Sequence, residues 1–237
     1  MNGLEGLRRR LTAARDSASD DRGITLVELM VAMMLLSLLM VMVVGFFVSA
    51  NRAYRSNTTI DQNTRVASNI MTEVARSLRA ASENPLPDNS TDSAFVLASS
   101  TSVTFFAYIN LDASVEIPEQ LQFSVNANNM VVESTWAATA ATGGFWTFPA
   151  VTSAPTSTRI LGGPILPVAK GGPVLFSYNA VDGSAIAGVT TSTTNDVART
   201  IASVDVAVTV GTSSTAGANA ALINTVGLPN LPLARTQ

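Results

Sequence analysis

Cysteine and histidine are absent from this 237-residue chain, and lysine occurs once, at Lys170. Those absences exclude disulfides, thiolate nucleophiles, Cys/His zinc sites and a Ser-His-Asp arrangement together. A nucleophile would need a Ser–Lys pair or paired carboxylates instead. Lys170 stands between Ala169 and Gly171 with no Ser-x-x-Lys spacing, and Asp182, Asp196 and Asp205 are scattered near turns and a strand, where they read as solvated. A calcium loop on Asn179, Asp182 and Gly183 lacks the alternating ligand run and terminal Glu that such a loop needs. Gly143-Gly144, Gly162-Gly163-Pro164 and Gly171-Gly172-Pro173 are not followed by Lys-Ser/Thr, so they read as loops rather than a phosphate cradle. The expectation is a protein that is not an enzyme and holds no metal or cofactor.

Charge is scarce as well, at 13% of residues against roughly 25% in an average protein. Residues 1–23 carry Arg8, Arg9, Arg10, Arg15 and Arg22 with four acids. Taking these from the totals of 14 basic and 17 acidic residues leaves nine basic and thirteen acidic in the remainder. A region of that sign is a poor phosphate binder, so no direct nucleic-acid binding is expected.

What is abundant is apolar sequence near the N-terminus. From Leu29 to Val48 there are 20 residues without a charge, relieved only by small residues such as Ala32, Ser37 and Gly45. At 1.5 Å per helical residue about 20 residues cross the ~30 Å hydrocarbon core, so this is a candidate span. The arginines before it favour a cytoplasmic N-terminus. The run exceeds the h-region of a cleaved secretory signal, and no small-x-small site closes it cleanly. Hydropathy alone also fits an ordinary signal anchor.

Glu28 breaks that bland pattern, because a carboxylate at the lip of a span is costly unless paired or interfacial. The string Arg22-Gly23-Ile24-Thr25-Leu26-Val27-Glu28-Leu29 resembles the class III signal of type IV pilins and type II secretion pseudopilins. The resemblance implies cleavage by a prepilin peptidase between Gly23 and Ile24, with Arg22 as the basic leader residue. It also implies methylation of the new Ile24 amine and pairing of Glu28 with that amine on a neighbouring subunit. The chemistry is sensible: an ammonium exposed inside an apolar bundle needs a counter-charge, and their pairing would set axial register. The sequence departs from the family in having Ile24 where Phe is commonest, Asp20 and Asp21 near the cut, and Gly45 where many members carry Pro.

The helical pattern continues beyond the apolar run. Val66, Ile70, Val74 and Leu78 recur every four residues, no Pro occurs from Ile24 to Asn84, and Pro85 and Pro87 follow. An amphipathic second half ending near Ser82 or Glu83 is expected, about 60 residues and ~90 Å in all. Thereafter short alternating runs predict strands at Phe95–Ala98, Val103–Ile109, Leu121–Val125, Met130–Thr135, Val174–Tyr178 and Ile201–Val210. Asn126–Asn129 reads as a hairpin turn and Val181-Asp182-Gly183 as another turn. The Thr/Ser-rich segments 190–194 and 211–218 read as surface loops. Trp136, Phe145, Trp146 and Phe148 suit a core better than a sugar- or surface-binding patch.

The segment from Phe176 to Gly183, the strand at Ile201–Val210 and the final Leu228-Pro229-Asn230 resemble minor pilins and minor pseudopilins of the PilW and J-type group. That group is associated with the initiating tip complex of a filament. The fold class expected is therefore α+β: a leader at residues 1–23, a long helix at 24–83 with its span at 24–48, and a mainly antiparallel β domain at 84–237. The function expected is that of a minor type IV pilin. Its partners would be other pilin subunits, prepilin peptidase, an inner-membrane assembly platform and, before assembly, membrane lipid. A minor pseudopilin of a type II secretion system, or a signal-anchored surface protein that never polymerises, is the alternative.

Overall fold

The computed structural model describes residues 23–110, 117–186, 195–212 and 217–231. Residues 1–22 of the leader, Thr190–Thr194 and half of the second Thr/Ser-rich segment lie outside the described residues, as does the side chain of Asp196. Two compact units divide the chain, residues 1–54 and 55–237.

One helix, α1, covers Leu26–Arg79. Its first half is made of Leu, Met, Val and Phe on every face, a composition that favours helix but offers no polar side to water. Its second half is amphipathic, and Ala67, Ile70, Met71, Val74, Ala75, Ser77 and Leu78 are buried. The helix stops at Arg79 rather than near Ser82 or Glu83. Ala80 and Ala81 tighten the last turn by donating to the Ser77 and Leu78 carbonyls. Ala81 then forms a β-bridge with Ala107, and the Ser82 N–H donates to the Phe106 carbonyl. A neighbouring strand thus takes the backbone groups that a further helical turn would have used.

The β region comprises β1 (Asn84–Pro85), β2 (Thr91–Asp92), β3 (Phe95–Ala98), β4 (Ser102–Asn110), β5 (Ile117–Val125), β6 (Val131–Ala137), β7 (Thr139–Ala140), β8 (Trp146–Thr147), β9 (Ser157–Gly162), β10 (Phe176–Asn179), a short helix α2 (Asn195–Arg199), β11 (Ser203–Val210) and β12 (Ala220–Gly227). A five-stranded sheet runs β3-β4-β5-β6-β9 and a three-stranded sheet runs β10-β11-β12, with every pairing antiparallel. The β5–β6 hairpin turns at Asn126–Asn129 as expected: Asn126 N–H donates to Met130, Asn129 N–H donates to Asn126, and Asn129 takes φ 57°. Asn tolerates that left-handed conformation better than other non-glycine residues.

One core joins α1 to both sheets. Ile70, Val74 and Leu78 pack in the same cluster as Val103, Phe105, Leu121 and Phe123 of the larger sheet and Val204, Val206 and Val208 of the smaller. Phe105 lies 6.1 Å between ring centroids from both Phe95 and Phe123, and Phe95 meets Tyr178 edge-on at 6.4 Å. The Tyr178 hydroxyl donates to the Ser99 carbonyl at 2.9 Å, tying the two sheets together. Burial pushes that phenol's pKa well up. The fold is α+β, a long N-terminal helix packed on antiparallel sheets.

On its other face the larger sheet carries a second, smaller apolar layer. Phe106, Gln120 and Trp136 form one row across β4, β5 and β6, and residues 138–156 close over it. The Trp136 indole N–H donates to the Ser153 carbonyl at 3.1 Å, and Phe148 lies on Phe106 with centroids 4.6 Å apart. The β7–β8 hairpin in this flap turns through Gly143 and Gly144, both with φ near +85° (87° and 84°), a pair of conformations that glycine adopts without strain.

Candidate processing and assembly site

Gly23, Ile24 and Thr25 precede α1 and are exposed. Thr25 caps the helix: its Oγ1 accepts from the Glu28 N–H at 3.2 Å, and its carbonyl accepts from the Leu29 N–H at 3.0 Å. This is the Thr half of a capping box, whose sequence signal is Thr25-Leu26-Val27-Glu28. Sequence reasoning centred on Glu28 and missed the cap. The Thr-x-x-Glu spacing was the available clue. The cap fixes the start of the helix two residues after Ile24 and places Glu28 in the first turn, where a carboxylate is favoured by the helix dipole. Gly23, Ile24 and Glu28 therefore fall within six residues of chain, of which Glu28 is in the helix, while Arg22 lies outside the described residues.

From Ile24 to Val48 no large apolar side chain is covered. Leu36 is 63% exposed, Phe46 77% and Phe47 70%. At about 25 cal/mol per Å² of apolar area, leaving such a row in water is strongly unfavourable. Exposed apolar patches of this size mark a membrane or protein contact. The helix is long and apolar enough to cross a membrane. Gly45 meets nothing within 4 Å of where a Cβ would sit, so close packing in the chain itself does not require glycine there.

Past the apolar run, Glu73 anchors a mixed-charge network. Its Oε1 accepts from Arg76 Nη2 at 2.6 Å and from Arg159 Nη2 at 2.5 Å. Arg159, on β9, also donates to Glu133 Oε2 through Nε and Nη2, at 3.1 and 2.7 Å. The hydrogen bond from Arg76, and then the charge of Arg159, hold the Glu73 carboxyl below its ordinary pKa in spite of some desolvation. Arg76 and Arg159 are raised in return. The network joins α1 to two strands and leaves no unpaired carboxylate among its members.

Asp182 and Asp205 each have structural partners of their own. Asp182 Oδ1 accepts the Ser184 N–H at 2.8 Å and hydroxyl at 2.6 Å, closing its turn, and those bonds lower its pKa. Asp205 is not simply solvated: it is half-buried on the middle strand of the small sheet, accepting from Asn179 Nδ2 at 2.9 Å and Thr225 Oγ1 at 2.6 Å. Thr225 stands directly opposite it in the strand register, and Asn179, opposite Ser203, reaches it diagonally from the other neighbouring strand. Among the described residues no three His, Cys, Asp or Glu come together in a way that could hold a metal. Lys170 ends an exposed 3₁₀ turn at Val168–Lys170.

No curated protein sequence matches the chain. Residues 19–44 match the family profile of the prokaryotic N-terminal methylation motif. That segment contains Gly23, Ile24, Glu28 and most of the apolar run. With the uncovered apolar helix that follows, it fits membrane anchoring, processing by a prepilin peptidase and assembly with other pilin subunits. The chain thus carries a type IV pilin-like prepilin N-terminus.

Proposed function

We propose that this protein is a minor type IV pilin, built into the initiating or tip complex of a pilus-like filament. Residues 1–23 serve as its leader, 24–83 as its helix and 84–237 as its outward-facing β domain. The chain inserts with its N-terminus in the cytoplasm, is cut between Gly23 and Ile24, and is methylated on Ile24. Arg22 provides the basic residue beside the cut. In the filament the apolar half of α1 exchanges lipid for neighbouring helices, and Glu28 neutralises the Ile24 amine of the adjoining subunit.

The observation that carries this reading is the junction of the methylation motif with a helix half that has no partner within its own chain. A soluble monomer would hide those residues, whereas a subunit that moves from bilayer to helical bundle must leave them free. The β domain of 154 residues is large for a shaft subunit, which favours a minor role.

Mass spectrometry of the mature N-terminus, with and without prepilin peptidase, tests the processing step. The expected product begins at Ile24, carries one methyl group and disappears without the peptidase. A chain that starts at Met1 in both strains would leave a signal-anchored protein that does not polymerise.

A further inference from the structure

The five- and three-stranded sheets end in β3, β9, β10 and β12. An open edge invites pairing with another chain, and proteins blunt it by shortness, bulges, charge or a cover. β3 has four residues and a break in register between Phe95 and Leu97. β9 carries Arg159. On β10 the Phe176 N–H donates to the Ser100 carbonyl and the Tyr178 carbonyl accepts from the Ile186 N–H, so its outer side is covered. β12 has none of these defences. Ala220–Gly227 is eight residues long, holds unbroken register with β11, and contains neither charge nor Pro.

The ladder identifies which backbone groups of β12 are left over. The Ala207 N–H donates to the Leu175 carbonyl, on the β10 side of β11. Successive residues of an antiparallel strand bond to opposite sides. Val204, Val206, Val208 and Val210 therefore turn to β12, where they stand opposite Val226, Asn224, Leu222 and Ala220. The Leu228 N–H, donating to the Ala202 carbonyl, continues that alternation. The N–H and C=O groups of Ala221, Ile223 and Thr225 thus point away from β11, with no backbone partner among the described residues. All three residues are exposed, Ile223 to 77%.

A groove of about 710 Å³ lies between β12 and α1, with Met71, Ala75, Arg76, Arg79, Asn224 and Asn230 in its lining. Because β12 is the outermost strand, the groove opens along its free edge. Asn63 Nδ2 donates to the Ala218 carbonyl and Asn230 Nδ2 to the Arg79 carbonyl, tying α1 to the chain at either end of β12. The groove is basic: Arg76 pairs with Glu73, while Arg79 has no ion-pair partner among the described residues.

We propose that β12 is the docking edge for an extended segment of another protein chain, which adds to the small sheet as a further strand. Its backbone bonds to Ala221, Ile223 and Thr225. Its alternate side chains enter the groove over Met71 and Ala75, and an acidic one among them meets Arg79. A second copy of β12 fits less well, since Ala220–Gly227 offers Arg79 no carboxylate. The site lies within residues 71–230 and uses none of Gly23, Ile24 or Glu28, so it stands or falls apart from processing.

The test is residue-level amide exchange of the full-length protein in detergent, read by NMR. In the free protein the Ala221, Ile223 and Thr225 amides should exchange fast, and those of Leu222 and Asn224, bonded to β11, slowly. The probe is a capped eight-residue peptide alternating Val and Thr, with one central Val replaced by Asp. At about ten times its Kd it should slow the three fast amides about tenfold. The same peptide with Lys for Asp should bind at least about threefold more weakly. Ile223→Pro removes an N–H that β11 does not use, a place where an edge strand tolerates proline. It should keep the wild-type near-UV circular dichroism and weaken the Asp peptide at least about tenfold. Should that variant fail to fold, Arg79→Glu serves instead and should reverse the preference to the Lys peptide. No slowing at up to about 10 mM peptide, equal slowing by both peptides, or slow exchange of the three amides in the free, dilute protein would overturn the proposal. Slowing that rises with protein concentration alone would overturn it in favour of a second copy.

Discussion

Two truncations on the same helix separate the half that folds the protein from the half that has no partner in the chain. Ile70 has none of its surface exposed and sits in the core between α1 and the sheets, whereas Leu36 is 63% exposed. Ile70→Ala and Leu36→Ala each remove the same three carbons. At about 0.8 kcal/mol per buried CH₂, the Ile70 change loses roughly 2.4 kcal/mol by transfer alone. The cavity left behind brings the expected cost to about 2–5 kcal/mol. For a cooperative unit of the size of residues 55–237, each kcal/mol moves the melting temperature by about 2–4 °C. Ile70→Ala should therefore lower it by about 6–12 °C for a loss near 3 kcal/mol. Leu36→Ala has no packed neighbours to lose in the monomer and should leave the transition within about 1 °C of wild type, well inside the usual range for changes away from packed sites. The assay is thermal unfolding of the full chain in detergent, followed by near-UV circular dichroism from the aromatic residues. Equal shifts for the two variants, or a shift below about 2 °C for Ile70→Ala, would refute the division of α1 into a packed half and a free half.

Glu28→Gln should leave cleavage intact but reduce incorporation into filaments at least about tenfold, since the buried amine of Ile24 would lose its counter-charge; co-purification of the tagged variant with sheared filaments checks this, and wild-type incorporation would remove Glu28 from the assembly contact. Acid should weaken the β domain in part through Glu73. Its pKa is depressed from 4.5 in the fold, so its contribution is complete above the unfolded carboxylate value and is lost as pH falls through the folded one. Glu73→Gln should therefore flatten that part of the acid limb, with melts between about pH 3 and pH 7 as the measurement; an unchanged limb would show that the network with Arg76 and Arg159 adds no stability.

How much of this was legible beforehand depended on whether a residue's surroundings were local. Phe95–Ala98 is a strand over the predicted residues, and the β5–β6 hairpin turns where its asparagines indicated. Both follow from alternation and turn chemistry carried within a few positions. By contrast Ser157–Gly162 was missed, because its first four residues are exposed and show no buried face to alternate with. Ala220–Gly227 was missed as well. Its small and polar residues become a strand because β11 presents an open edge for pairing along all eight of them. The early end of α1 is of the same kind, since the competing partner, β4, is distant in sequence.

The sequence by itself determined the processing motif, the uncharged run behind it and the amphipathic stripe from Val66 to Leu78, since spacing along one helix encodes all three. Tertiary structure alone decided that Asp205 is held by Asn179 and Thr225 and that Glu73 meets Arg159 across 86 positions. Those groups are far apart in the chain, and only strand register and packing bring their atoms within bonding distance. No periodicity records such an encounter, because each residue would look the same in sequence if its partner were elsewhere.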